Sequence, residues 1–110
     1  MDTRATSWCR RPAMKYTIPT PEALAQALTA LPGWRVEGGK LHKEYLFHDF
    51  VEAFGWMTRV ALEAEKMGHH PEWFNVYRTV RVALQTHDVK PPQVTEADLM
   101  LARRMDALAA

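Results

Sequence analysis

The chain reads as an α+β fold of two layers, a four-stranded antiparallel sheet with helices packed on one face. Three observations lead there. Apolar residues recur at helical spacing in three separate stretches, and between them lie segments whose apolar residues alternate every second position. These come in the order helix, hairpin, helix, strand region, helix, which is a ββαββα core preceded by an N-terminal helix. The strand region is expected to fold back on itself and so to supply two strands rather than one.

Thr20-Pro21-Glu22 offers an N-cap, a proline at the first helical position and early negative charge. Leu24, Ala27, Leu28 and Leu31 then form a helical stripe that Pro32-Gly33 ends. Trp34 and Val36 alternate with Arg35 and Glu37, and Gly38-Gly39 makes a hairpin turn. The returning strand places Leu41, Lys43, Tyr45 and Phe47 on one face and His42, Glu44, Leu46 and His48 on the other. Asp49, with Glu52 three residues on, caps the longest helix, near residues 50 to 67. Phe50, Phe54, Met57, Ala61 and Ala64 are expected to bury one side of it, while a line through Gly55 and Leu62 could meet another subunit. Gly68 sits where a left-handed C-cap belongs, which throws His69 and His70 into a loop.

Phe74, Val76, Val80, Val82 and Leu84 then alternate with polar positions, and Phe74 is expected in the core. Were residues 73 to 87 one straight strand, its ends would lie roughly 46 Å apart, at about 3.3 Å per residue. His69 and His70 could then share no site with His87 in one subunit. Either the segment bends, with Tyr77-Arg78-Thr79 the favoured place, or the site forms between chains. Pro91-Pro92 breaks the chain again, and Thr95 to Asp98 caps a last helix with Leu101, Ala102, Met105 and Leu108 in a stripe.

One hundred and ten residues suit one domain, set here at residues 20–110 behind an arm, residues 1–19, expected to be disordered, of which residues 1–13 are expected not to support the core. A transit peptide or an upstream start before Met14 are the other readings of the arm; Arg4, Arg10 and Arg11 flank no apolar centre, so it is no secretory signal. A net charge of +1 makes no case for nucleic acid. One cysteine, Cys9, excludes an internal disulfide and a cysteine-based zinc site. No apolar run approaches the ~20 residues that span a bilayer, and the expected compartment is the cytoplasm.

The chemistry gathers between Glu65 and Asp98. Glu65 and His69 stand four apart at a helix end, as a surface pair or as a carboxylate that orients an imidazole. Pro71 biases His70 toward extended backbone. His87 lies on the parity opposite Val82, Leu84 and Thr86, either an exposed strand end or a site residue, with Asp88 beside it to set its charge or solvate the turn. Trp73 could give a flat heterocycle a stacking wall or could belong to the core. Asp98 stands third in the last helix, where a capping carboxylate belongs whatever the function.

The pattern Glu65-x3-His69-His70-Pro71-x5-Tyr77-x9-His87, with Asp98 beyond and Phe54 to Leu62 before it, resembles the pterin-4a-carbinolamine dehydratases from about Trp34 to the C-terminus. The resemblance implies the same two-layer fold. It implies loss of water from a 4a-hydroxytetrahydropterin to give quinonoid dihydropterin in pterin cofactor recycling, with no cofactor besides the pterin substrate and no metal. It makes His69 and His87 the acid/base pair, lets His70 position the pterin, and has Glu65 support His69. Pro71, Trp73, Asp88 and Asp98 complete the substrate-binding set. An imidazole, with an ordinary pKa of about 6.5, can give or take a proton near neutrality. A homo-oligomer is implied too, most simply a tetramer. In one departure, Val89 to Thr95 replaces a shorter Gly-Leu-Thr or Gly-Leu-Ser turn, which touches the pocket rim and any contact from Asp98. Two rivals stand beside the enzyme: a dimerisation or coactivator role on the same fold, and a zinc site from Glu65, His69, His70 and His87. The second lacks the helical two-histidine spacing of common hydrolase sites.

Overall fold

The computed structural model describes residues 16–110, and residues 1–15 of the expected arm lie outside them. In chain order the elements are α1 (Pro21–Leu28), β1 (Arg35–Glu37), β2 (Lys40–Leu46), α2 (Phe50–Met67), β3 (Glu72–Val76), β4 (Thr79–Leu84) and α3 (Glu96–Ala109). The strands form one antiparallel sheet in the order β1-β2-β4-β3, with the helices on one face. At the N-terminal end of the described chain, the Thr17 carbonyl accepts from the Glu96 amide at 3.0 Å, so this short stretch packs on the domain.

Each boundary has a local cause. Thr20 Oγ1 accepts from the Ala23 amide at the start of α1, and Asp49 Oδ1 from the Glu52 amide at the start of α2. Gly38 and Gly39 both take positive φ, 60° and 77°, and the two-residue turn they make pairs Glu37 with Lys40. The fold-back in the strand region falls at Tyr77-Arg78, with Val76 paired to Thr79. Tyr77 takes φ 53° without being glycine. The Asn75 side-chain amide donates to the carbonyls of Tyr77 and Thr79, and so holds the turn from inside.

That turn reverses one expectation. A two-residue loop pairs an even-numbered residue with an odd-numbered one, so Trp73 lies opposite Val82 on the covered face and Phe74 opposite Arg81 on the open face. Phe74 is therefore exposed, with the Arg81 guanidinium 4.5 Å above its ring, and Val76 is exposed beside it.

A second correction concerns α2. Its buried residues are Ala53, Trp56, Val60 and Ala64, while Phe50, Phe54 and Ala61 of the expected stripe face outward. The helix carries more apolar residues than one face can bury, and Trp56 decides its rotation. Trp56 is fully buried, packs on Tyr45, Phe47 and Trp73, and donates its indole N–H to the Met105 carbonyl. Truncating so large a core side chain costs about 3–5 kcal/mol, more than half-burying Phe50 and Phe54 can recover. Leu31, Leu41, Val80, Leu84, Leu99 and Leu101 complete the centre of the core.

At one margin of this core, Asp106 Oδ1 accepts from Trp34 Nε1, Lys43 Nζ and the Tyr45 hydroxyl. Burial, and then the Asp106 carboxylate, push the Tyr45 phenol far above its ordinary range, so it stays a neutral donor. This is why Lys43 can stand on the core-facing side of β2.

Candidate active site

The site begins at the end of α2. Gly68 takes φ 67°, and the His69 amide closes back on the Ala64 carbonyl at 3.0 Å. This cap turns the chain sharply, so that His69 folds inward and His70 swings out. His69 is 6% exposed, and its Nε2–H donates to Asp98 Oδ1 at 2.6 Å. His70 is exposed and donates from Nε2 to Glu65 Oε1 at 3.0 Å. Glu65 thus serves His70 and not His69 as expected; the left-handed cap carries the nearer histidine away from the helix surface on which Glu65 stands.

Asp98 is fully buried and its carboxylate accepts three hydrogen bonds. Oδ2 accepts from Thr86 Oγ1 at 2.8 Å and from the Thr95 amide at 2.9 Å, the latter being half of the capping box that begins α3. Thr86 gives its hydroxyl proton to Asp98, so across the 2.7 Å Thr86–Thr95 contact the Thr95 hydroxyl must be the donor. One carboxylate thereby caps a helix and fixes an imidazole. A carboxylate only accepts, so Nε2 of His69 carries a proton and Nδ1 is left for exchange. Nδ1 has no hydrogen bond among the described residues.

The Thr86–Asp98–His69 chain brings the loop after α2 against the end of β4, one residue from His87. β4 ends there beside the start of β3, since Glu72 pairs with Ala83. His87 is exposed, its Nε2 3.7 Å from Glu72 Oε2, and Lys40 Nζ holds the other Glu72 oxygen at 2.8 Å. The hydrogen bond from Lys40 holds the Glu72 carboxyl below its ordinary range, and His87 adds to this. All three histidines therefore stand at one end of the sheet within a single chain. Pro71 is half-buried between His70 and β3. Trp73 lies on the covered face with its ring 6.2 Å from that of Trp56, which makes it a core-margin residue. Asp88 is exposed in the loop after His87.

The longer loop after His87 leaves this arrangement in place. Thr86 and Gln93 exchange both backbone hydrogen bonds, at 2.9 and 3.2 Å, and close the loop at its base ahead of Thr95. A cavity of about 510 Å³ elsewhere on the molecule is bordered by Lys43, Tyr45, Arg59 and Asp106 and by none of the histidines. No cluster of three or more His, Cys, Asp or Glu suited to a metal ion occurs among the described residues. Sequence reasoning passed over Thr86, Thr95, Lys40 and Glu72. A threonine on the core parity of β4 and another opening a capping box were the available signals for the first two.

Residues 18–108 match the family described as Pterin 4 alpha carbinolamine dehydratase. Two curated relatives provisionally named pterin-4-alpha-carbinolamine dehydratases are similar over most of their length. One, from Bradyrhizobium diazoefficiens, is 54% identical over 82% of this chain and 90% of its own. The other, from Bradyrhizobium sp. (strain ORS 278), is 57% identical over 81% of this chain and 89% of its own. Among solved structures, a transcriptional coactivator/pterin dehydratase from Brucella melitensis superposes with a TM-score of 0.79 at 45% identity, covering 86% of this chain and all of the other. The chain belongs to the pterin 4 alpha carbinolamine dehydratase family and is a dehydratase.

Proposed function

We propose that the protein eliminates water from a 4a-hydroxytetrahydropterin by proton transfer through His69 and His87, as a step in pterin recycling. The observation that carries this is the buried His69–Asp98 bond, braced by Thr86 and Thr95 one residue from His87. Loss of water breaks the C4a–O bond, places one proton on the departing hydroxyl and removes one from N5. Protons and electrons balance without a redox partner. His69, with Nε2 committed to Asp98, exchanges its proton through Nδ1; His87, held toward Glu72 on the open rim, serves the second transfer. His70, paired with Glu65 on the exposed side, binds and positions the pterin, with Pro71 and Asp88 at the margin. No helix among the described residues is long and apolar enough to cross a membrane, and the cytoplasmic location expected above accords with a soluble small-molecule substrate.

The reading includes a homo-oligomer, with a tetramer as the expected form. Supporting it, the outward side of α2 carries exposed Phe50, Val51, Phe54 and Leu62, and the open face of the sheet carries Phe74 and Val76. The same helix face would suit the coactivator role that the name of the Brucella melitensis protein joins to its dehydratase role.

The test is turnover of freshly generated carbinolamine, after subtraction of the spontaneous rate. His69→Ala and His87→Ala should each lose roughly 10²- to 10⁴-fold, the usual worth of a general acid or base. His70→Ala should mainly raise KM. His42→Ala, whose ring bonds the Glu37 carbonyl, should change little. Wild-type turnover in both His69→Ala and His87→Ala would sink the assignment.

A further inference from the structure

The family match begins at residue 18, but the described chain begins two residues earlier and those residues reach the site. The Tyr16 ring lies against the His69 imidazole, centroids 6.4 Å apart and planes tilted by 55°, within the range of aromatic pairing. The next residue is pinned: the Thr17 carbonyl accepts from the Glu96 amide, one of the amides in the first turn of α3 that the helix itself cannot satisfy. Glu96 is two residues before Asp98. The short strap from Tyr16 to Thr17 and the carboxylate that holds His69 are thus fastened to the same helical turn.

We infer that Tyr16 is a positioning residue for the dehydration: its ring packs on His69, holds the imidazole against Asp98 and shields the Nε2–H···Oδ1 bond from water. This rests on the reading of His69 as a proton-exchanging residue. The geometry supplies two supports for one ring. Asp98 fixes Nε2 from α3, but a single hydrogen bond leaves the ring free to swing about that contact. A tilted aromatic ring against the imidazole removes this freedom and leaves Nδ1 for exchange. Asp98 and Tyr16 are the titratable side chains that meet the His69 ring among the described residues. The Tyr16 hydroxyl has no part in the inference, which turns on the ring alone.

The full chain carrying Tyr16→Ala, Tyr16→Phe or Tyr16→Leu tests this with two readouts. The first is the imidazole ¹H–¹⁵N signal of His69 in the substrate-free protein, identified by its loss in His69→Gln. A shielded Nε2–H should be sharp in the wild type and in Tyr16→Phe, and should broaden or vanish in Tyr16→Ala through exchange with water. The second is turnover. Tyr16→Ala should lower kcat roughly 10- to 100-fold, the effect of a displaced catalytic group, with KM within about threefold, and Tyr16→Phe should restore it. Should Tyr16→Ala not fold, Tyr16→Leu, apolar but without the ring, should show the same two losses. A sharp His69 Nε2–H and wild-type kcat in Tyr16→Ala or Tyr16→Leu would overturn the inference, as would a broad signal in the wild type or a Tyr16→Phe as impaired as the alanine variant. The spectroscopic arm needs no substrate, so it decides the packing of Tyr16 even if wild-type protein shows no dehydration and the proposed function falls.

Discussion

Replacing Asp98 by Asn separates the two tasks of this carboxylate. The isosteric amide can keep its oxygen where Oδ2 stands, accepting from Thr86 Oγ1 and the Thr95 amide, and then its NH₂ faces His69. A donor there forces Nε2 to become the acceptor, so the proton of the neutral imidazole moves to Nδ1. His69 would then be held in the wrong tautomer, with no lone pair on Nδ1. Asp98→Asn should therefore fold, since the helix cap survives, yet turn over roughly 10²- to 10⁴-fold more slowly, as expected when a base is misassigned its proton. Asp98→Ala is the contrast. It strands the Thr86 hydroxyl, the Thr95 amide and the His69 N–H in a site with no solvent access for Asp98, which costs about 3–5 kcal/mol. A domain of this size has about 5–15 kcal/mol in all, so Asp98→Ala should be severely destabilised and uninformative about chemistry. The assay is background-corrected dehydration alongside thermal unfolding of both variants. Turnover of Asp98→Asn within twofold of wild type, with an unchanged fold, would refute the claim that Asp98 sets the proton on His69.

Three further outcomes can be checked. Asp106→Ala strands the Trp34 and Tyr45 donors at the core margin and leaves Lys43 only the Pro32 carbonyl; at roughly 2–4 kcal/mol it should lower Tm by at least about 8 °C while KM holds. The Lys40–Glu72 pair depresses the Glu72 carboxyl in the folded state, so its stabilisation is present above the ordinary value of 4.5 and is lost as pH falls through the folded one. Wild type should exceed Glu72→Gln by a small margin at pH 7, about 0.2–1 kcal/mol for a pair this exposed, and the two melting curves should converge as pH falls through the folded value; a gap that widens in acid would contradict the assignment. The outward apolar faces of α2 and the sheet predict an assembly larger than one chain at micromolar concentration, reduced by Phe54→Glu; a monomer mass by light scattering for the wild type would refute it.

Much of the molecule was legible along the chain because local rules act over a few residues. Thr20, Asp49 and Thr95 announce helix starts through side-chain oxygens that only the adjacent amides can use, and Gly38-Gly39 and Gly68 announce turns through backbone angles that other residues avoid. Even the bend at Tyr77-Arg78, unmarked by glycine or proline, followed from the length of a straight strand set against the need to bring His69 and His87 together. The histidine pattern itself, read with its spacing, led to the family. What tertiary structure alone decided were choices between equivalent local options. The rotation of α2 was one, since two apolar stripes compete and only the fit of Trp56 against Tyr45, Phe47 and Trp73 chooses between them. The inward or outward fate of Phe74 was another, because one residue more or less in a turn reverses the parity of a whole strand. The partner of His69 was the third. Glu65 was nearer in sequence, but a left-handed cap turned His69 away from it toward Asp98, 29 residues along the chain, and no local rule spans that distance.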